Sequence, residues 1–381
     1  HPISKYARDQ VAQHGDETPI HWIHRSERYG EKLATPDVSV ADLIGDIDPI
    51  KAANLRLNFA DELVIHYGII PRSNRGIFVI NEIPDLQARI QVSLFNILEE
   101  GDIQIRGFKL RMPLDILFVF TANPEDYTNR GSIVTPLKDR IQSQILTHYP
   151  KTIEDSLAIT EQEAHIKEEQ FERVFISGLI KKLIEQVAFE ARNNEYVDKK
   201  SGVSARLTIS AYENAVSSAE RRAILNKEKK TQVWMSDLAG IIPSLTGKIE
   251  LVYEGEQEGP FQVSMNLLDK AIRTQFAAYF PNPETLKKRR NTGKASVEAE
   301  ENPYKSITRW FDAGNQLEIY FNTTDKDKQL KLYAVDGLHA LVKKYFPKAN
   351  EREASLLMEF VLHGLDAYSL SSKKLIGTKI E

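Results

Sequence analysis

Two short runs constrain the fold more than anything else in this chain: GIFVINEIPDL, from Gly76 to Leu86, and LFVFTANPEDY, from Leu117 to Tyr127. Each contains an unbroken block of large apolar residues, Ile77 to Ile80 in the first and Leu117 to Phe120 in the second. A half-exposed strand would alternate and an amphipathic helix would repeat every three to four residues. An unbroken block bounded by polar residues instead suits a strand covered on both faces, as in a parallel sheet. Both blocks end in polar side chains, Asn81 and Glu82 after the first, Thr121 and Asn123 after the second. Ligands of open α/β sheets bind at the carboxyl ends of the strands. A carboxylate delivered to that end is half of a nucleotide-hydrolysis site.

Between the two runs, Leu86, Ile90, Leu94 and Ile97 form one apolar stripe of a helix that ends at Gly101. DIQIRGFKLR then alternates Ile103, Ile105, Phe108 and Leu110 with Gln104, Arg106, Lys109 and Arg111, a β-hairpin with Gly107 at its tip and one basic face. Strand, helix, hairpin and strand together place the chain in the α/β class. Upstream, Asp37 and Ser39 are candidate helix caps, Gly45 marks a turn, and ADELVIHYGIIPRSNRG reads as a helical patch ending near Gly68. His21 and His24 flank Trp22 and Ile23 in an extended text and read as surface or partly buried residues, not as metal ligands.

From Thr152 the periodicity is helical. Phe175, Leu179, Leu183 and Val187 make one stripe, and Ala205 to Asn226 a second helix with Ser204 as its cap. The polar text around residues 283–303 reads as a linker. Beyond it QLEIYFN and QLKLYAV look like strands, DGLHALVKKYF like a helix, and Asn350 with Glu353 like a capping box. The expected organisation is an αβα core over 1–150, a helical lid over 151–282, the linker 283–303 and an α+β extension over 304–381.

A net charge of −4 gives no global case for nucleic acid or anionic lipid as partner. The absence of cysteine excludes disulfides, thiolate zinc sites and a cysteine nucleophile, and fits a cytoplasmic protein. No apolar run approaches the roughly 18 residues of a membrane span, so no membrane partner is expected.

Five segments in order, GIFVINEIPDL, LFNILEEGDIQIRG, LFVFTANPEDY, TPLKDRIQSQI and GVSARLTISAYENAV, resemble an AAA+ ATPase, specifically the branch of the magnesium-chelatase ATPase subunit and MoxR-type ATPases. The likeness covers about residues 36–226. It implies a partial αβα core with a parallel sheet and a hairpin insertion at 102–111, followed by a helical lid. It also implies ATP and Mg²⁺ as ligands, and a homo-oligomeric, hexameric ring acting on a protein with a von Willebrand factor A domain or on a metal-insertion complex. By the resemblance, Glu82 matches the Walker B glutamate that polarises the attacking water and Asn123 matches sensor 1. Arg140 matches the arginine finger offered to a neighbouring subunit, and Arg206 matches sensor 2. Asn81 stands where the family usually has an aspartate supporting Mg²⁺, and lacks the charge that this hard cation prefers.

The residues alone also allow plainer roles: a solvated carboxylate at Glu82, an Asn-Pro turn at Asn123, a surface ion pair at Arg140. For Arg206, in the first turn of its helix, the macrodipole disfavours a cation, and an anionic phosphate would offset that. No G-x-x-x-x-G-K-[ST] phosphate loop occurs. SLTGKIE and NTGKASV have the wrong residue after the lysine and no strand before them. The resemblance places that loop before the Walker B strand, hence upstream of His1; the rival expectation is a scaffold subunit without it. A transcription-activator reading would need a GAFTGA-type loop, and the sequence has none.

Overall fold

The computed structural model describes residues 2, 4–58, 61–105, 111–123, 132–285 and 302–371. Two compact units form, His1–Thr147 and His148–Glu381. The first is built on the two apolar runs. Strands β1 (Tyr29–Leu33), β4 (Ile77–Asn81) and β7 (Leu117–Phe120) form a parallel sheet in the order β1-β4-β7, with β4 in the centre. Register pairs Gly30 with Phe78 and Phe78 with Phe118. These residues face the core, where the Phe78 and Phe118 rings meet edge to face at 6.0 Å. Gly30 is required there because a Cβ would run into Ser73 Oγ and the Phe78 ring.

The stripe Leu86, Ile90, Leu94 and Ile97 is buried against this face as expected. It is not carried by one helix: Ile90 and Ile97 lie on two short helices, Ala88–Ser93 and Phe95–Glu100, with Leu94 between them and Leu86 before the first. The break has a local cause. The Ser93 hydroxyl bonds back to the Ile90 carbonyl, and the Leu94 N–H takes the tighter bond to Gln91. Strands β5 (Asp102–Gln104) and β6 (Arg111–Pro113) pair antiparallel, with Ile103, Ile105 and Met112 inward, so the hairpin forms with the expected face buried. Its tip, including Arg106 and Lys109, lies outside the described residues.

The helical patch expected before Gly68 is corrected. Strands β2 (Gly45–Ile47) and β3 (Ile65–Tyr67) form an antiparallel pair, followed by a short helix Ile69–Arg72. Gly68 lies so close to Leu43 and Ile44 that a Cβ would collide with their backbone. That approach brings the two strands together. Of the candidate caps nearby, Ser39 forms a capping box with Asp42.

The second unit is almost wholly helical around one core that runs from Val174 to Tyr368. Leu179, Leu183 and Val187 point inward from the helix Gly178–Arg192, but Phe175 precedes that helix in a two-residue strand and is exposed. The Asn350 cap forms, its side chain accepting from Glu353 N at 2.9 Å. Strands do not form at QLEIYFN or QLKLYAV. The latter lies in the helix Asp325–Tyr333, capped by Thr324, with Lys328 and Leu332 buried four residues apart. Among the described residues no helix is long and apolar enough to cross a membrane.

A buried charged network holds this core together. Arg222, fully buried on the helix Arg206–Leu225, donates two bonds to Asp237 at 3.0 and 2.9 Å and one to Asp325 at 2.6 Å. Its remaining bonds go to Thr231 and to the Gln232 carbonyl. Trp234 Nε1 reaches the same Asp325 oxygen at 2.7 Å, and Lys328 donates to Ser236 at 2.6 Å. Glu359 accepts from the Met235 and Ser236 amides. Burial works to lower the Arg222 pKa, but hydrogen bonding to Asp237 and the fields of Asp237 and Asp325 outweigh it and hold the guanidinium charged.

Removing one partner of such a set leaves a buried charge uncompensated. Asp237→Ala is expected to cost about 3–5 kcal/mol in a urea unfolding titration. Glu185 gives a second prediction. Burial raises its pKa above the ordinary 4.5, against the lowering effect of its bond from Ser156 Oγ. The folded protein therefore holds a proton that the unfolded chain releases. That stability is complete below the ordinary value and is lost as pH rises through the raised one. Glu185→Gln is expected to flatten this fall, read from melting temperatures across pH 4 to 8.

Candidate functional site

The site sits where β4 and β7 end. Ile83 and Pro84 must be buried immediately after β4, so the chain reverses at Glu82. Glu82 takes up the turn in the left-handed region, at φ +55° and ψ +50°. For a non-glycine residue this costs about 1–2 kcal/mol, and such positions collect at functional sites.

Thr121, the residue after β7, holds the turn. Its hydroxyl accepts from Glu82 N at 3.1 Å and donates to Asn81 Oδ1 at 3.2 Å, while its carbonyl accepts from Ile83 N at 3.0 Å. Three consecutive residues are thus pinned by one. The Glu82 carboxylate is half-buried, and among the described residues no hydrogen bond or ion pair engages it. A carboxylate positioned by its backbone and left open at a strand end is suited to receive a proton from water. In the sequence Thr121 stands out only as a polar strand end. Its hydroxyl at the strand terminus, next to a second polar strand end, was the available signal.

Asn123 lies two residues further on and is exposed. Its following Pro124 lies outside the described residues. Arg140 ends the helix Thr135–Arg140 and lies against its own unit. Its guanidinium bonds Glu99 at 2.8 and 2.5 Å, donates to the Pro136 carbonyl at 2.9 Å and covers the Phe95 ring at 4.7 Å. The structure therefore brings Asn81, Glu82 and Thr121 together and places Arg140 in a separate contact.

Arg206 belongs to the second unit. It is exposed at the first position of the helix Arg206–Leu225. Ser204 is not its cap: Ala205 occupies the cap position without a side-chain bond, and Leu207 N turns back to the Ser204 carbonyl. The preceding loop is clamped instead at Val203, whose N–H is donated to the Tyr149 hydroxyl at 3.1 Å. The Val203 carbonyl accepts from Arg192 Nε at 3.2 Å. The Arg192 guanidinium lies over the Tyr149 ring at 4.4 Å. Burial lowers its pKa, with Tyr149 and Glu185 acting the other way.

Residues 58–145 match the family model described as the Sigma-54 interaction domain. The stretch runs from just before β3 through Arg140 and so contains Asn81, Glu82, Thr121 and Asn123. The matched stretch lies within residues 36–226, over which the motifs resemble an AAA+ ATPase. Among solved structures, a protein of Cytophaga hutchinsonii is similar at 22% identity, covering 64% of this chain and 76% of that one, with a TM-score of 0.26. The magnesium chelatase complex of BchI and BchD is similar at 18%, covering 61% and 72%, with a TM-score of 0.29. NtrX from Brucella abortus, in complex with ADP, is similar at 13%, covering 69% and 57%, with a TM-score of 0.38.

Thr121→Val keeps the β-branched shape and removes both hydroxyl bonds. It is expected to lower stability by about 1–3 kcal/mol in chemical denaturation, with Thr121→Ser close to wild type.

Proposed function

We propose that this chain is the greater part of an AAA+ ATP-hydrolysing remodelling subunit of the magnesium-chelatase and MoxR type. The observation that carries the reading is Glu82 itself, held in a left-handed turn at the carboxyl end of the central parallel strand by Thr121. In this reading Glu82 polarises the water that attacks the γ-phosphate, and Asn123 orients that water and the phosphate from the neighbouring strand end. Arg140 reaches the nucleotide of an adjacent subunit in a homo-oligomeric, hexameric ring. Arg206 acts as sensor 2 in this reading. The partner is a protein with a von Willebrand factor A domain or a metal-insertion complex, and the setting is the cytoplasm.

Asn81 bears on the metal. Its amide oxygen already accepts from Thr121 and carries no charge, so it suits a hydrogen bond from metal-bound water, not direct coordination of Mg²⁺. Mg²⁺ supplies charge neutralisation at the ATP phosphates when bound.

The phosphate loop is assigned to a further stretch of polypeptide, and the sheet supports that assignment. Among the described residues β7 is an edge strand, although its sequence is that of a central one. The face opposite the core carries Tyr29, Ile77 and Leu117 in one register row, 50%, 41% and 62% exposed. Parallel sheets are normally covered on both faces, and among the described residues this row is left exposed, although Val79 further along the same face is buried. A second reading, a non-catalytic scaffold subunit, is favoured by the neutral Asn81 and the missing G-x-x-x-x-G-K-[ST] text.

The test is ATP turnover by the full-length protein. Glu82→Gln is expected to lower it about 100-fold or more while ATP still binds. Turnover indifferent to this change would sink the assignment of Glu82, and a full-length protein that binds no ATP would establish the scaffold.

A further inference from the structure

Arg140 does not stand free. Phe95 and Glu99, four residues apart on the helix Phe95–Glu100, present a ring and a carboxylate on one face. The guanidinium lies over the ring at 4.7 Å and bonds the carboxylate through Nε and Nη2. The Pro136 carbonyl, one turn back on Arg140's own helix, takes Nη1 at 2.9 Å. Ring, carboxylate and carbonyl together engage the plane and three of the nitrogens of the group. The Arg140 side chain is left 25% exposed, while Glu99 is 56% exposed.

We infer that Glu99 and Phe95 form a parking cradle that holds Arg140 against its own subunit, so that reaching a neighbour's nucleotide requires exchanging the Glu99 carboxylate for a phosphate. This rests on the reading of Arg140 as an arginine finger, and it adds a regulatory role for two residues outside the nucleotide site. The exchange is chemically even-handed. A guanidinium binds carboxylate and phosphate oxygens through the same fork of donors. An ion pair this exposed is weak and is lost readily to a more highly charged competitor. The cradle thus biases Arg140 toward the parked position without locking it there. A subunit with no nucleotide-bearing neighbour keeps its arginine occupied by its own Glu99.

The full-length protein tests this with three variants: Glu99→Gln, Arg140→Ala and the double substitution. ATP turnover per subunit is measured over a range of protein concentrations, with melting temperatures to confirm folding. Glu99→Gln is expected to raise turnover about two- to fivefold where assembly is incomplete, the population ratio that an exposed ion pair supplies. Arg140→Ala should lower turnover, and the double variant should match Arg140→Ala. That loss of the Glu99 effect is a coupling that a purely structural glutamate would not give. Phe95→Leu, which keeps the apolar contact and removes the ring, should shift turnover in the same direction as Glu99→Gln. Glu99→Gln at or below wild type while Arg140→Ala is impaired overturns the cradle and leaves the finger standing. Arg140→Ala with wild-type turnover overturns the finger reading, and the cradle with it.

Discussion

The buried guanidinium of Arg222 is the contact on which the second unit depends. It sits where three stretches meet: its own helix, the turn from Thr231 to Asp237, and the capped start of the helix Asp325–Tyr333. All of its nitrogens are satisfied, and Trp234 fixes both aspartates that face it, its backbone N–H donating to Asp237 and its indole N–H to Asp325, while the Asp325 N–H donates to Glu228. Hydrophobic packing alone would tolerate small slips between these helices. A fully bonded guanidinium does not, because any slip strands a charge in a medium that solvates it poorly. The residues from Asp325 onward are therefore joined to the helix that carries Arg206 and share its core.

The first unit is organised by a different constraint, the need to bury Ile83 and Pro84 straight after the central strand. That need puts Glu82 in a strained turn, and Thr121 makes the turn tenable from the neighbouring strand. Glu82 is thus positioned by backbone and hydroxyl, and its carboxylate is left without a hydrogen bond among the described residues. Arg140 is treated in the opposite way, with its charge engaged on every side by its own unit.

Much of this was legible in the sequence, and the reasons are physical. Unbroken apolar blocks announce covered parallel strands, and their polar ends locate Asn81, Glu82 and Thr121. Alternation announces the hairpin, and Asn350 with Glu353 its helix start. What misled were short elements and borrowed periods. Strand β3 has three residues, too few to show a period of two. QLKLYAV alternates locally, yet Thr324 and Asp327 just upstream form a helix cap, a signal the alternation obscured. Contacts between distant residues were out of reach altogether. Arg222 and Asp325 are 103 positions apart and Glu99 and Arg140 are 41 apart, so no window of sequence contains either pair.

The left-handed turn at Glu82 has an evolutionary corollary. Glycine takes that conformation without penalty and asparagine with little. A glutamate there carries a conformational cost that glycine would not. In a lineage that had given up hydrolysis nothing would offset that cost, and position 82 would be among the first to drift to glycine or asparagine.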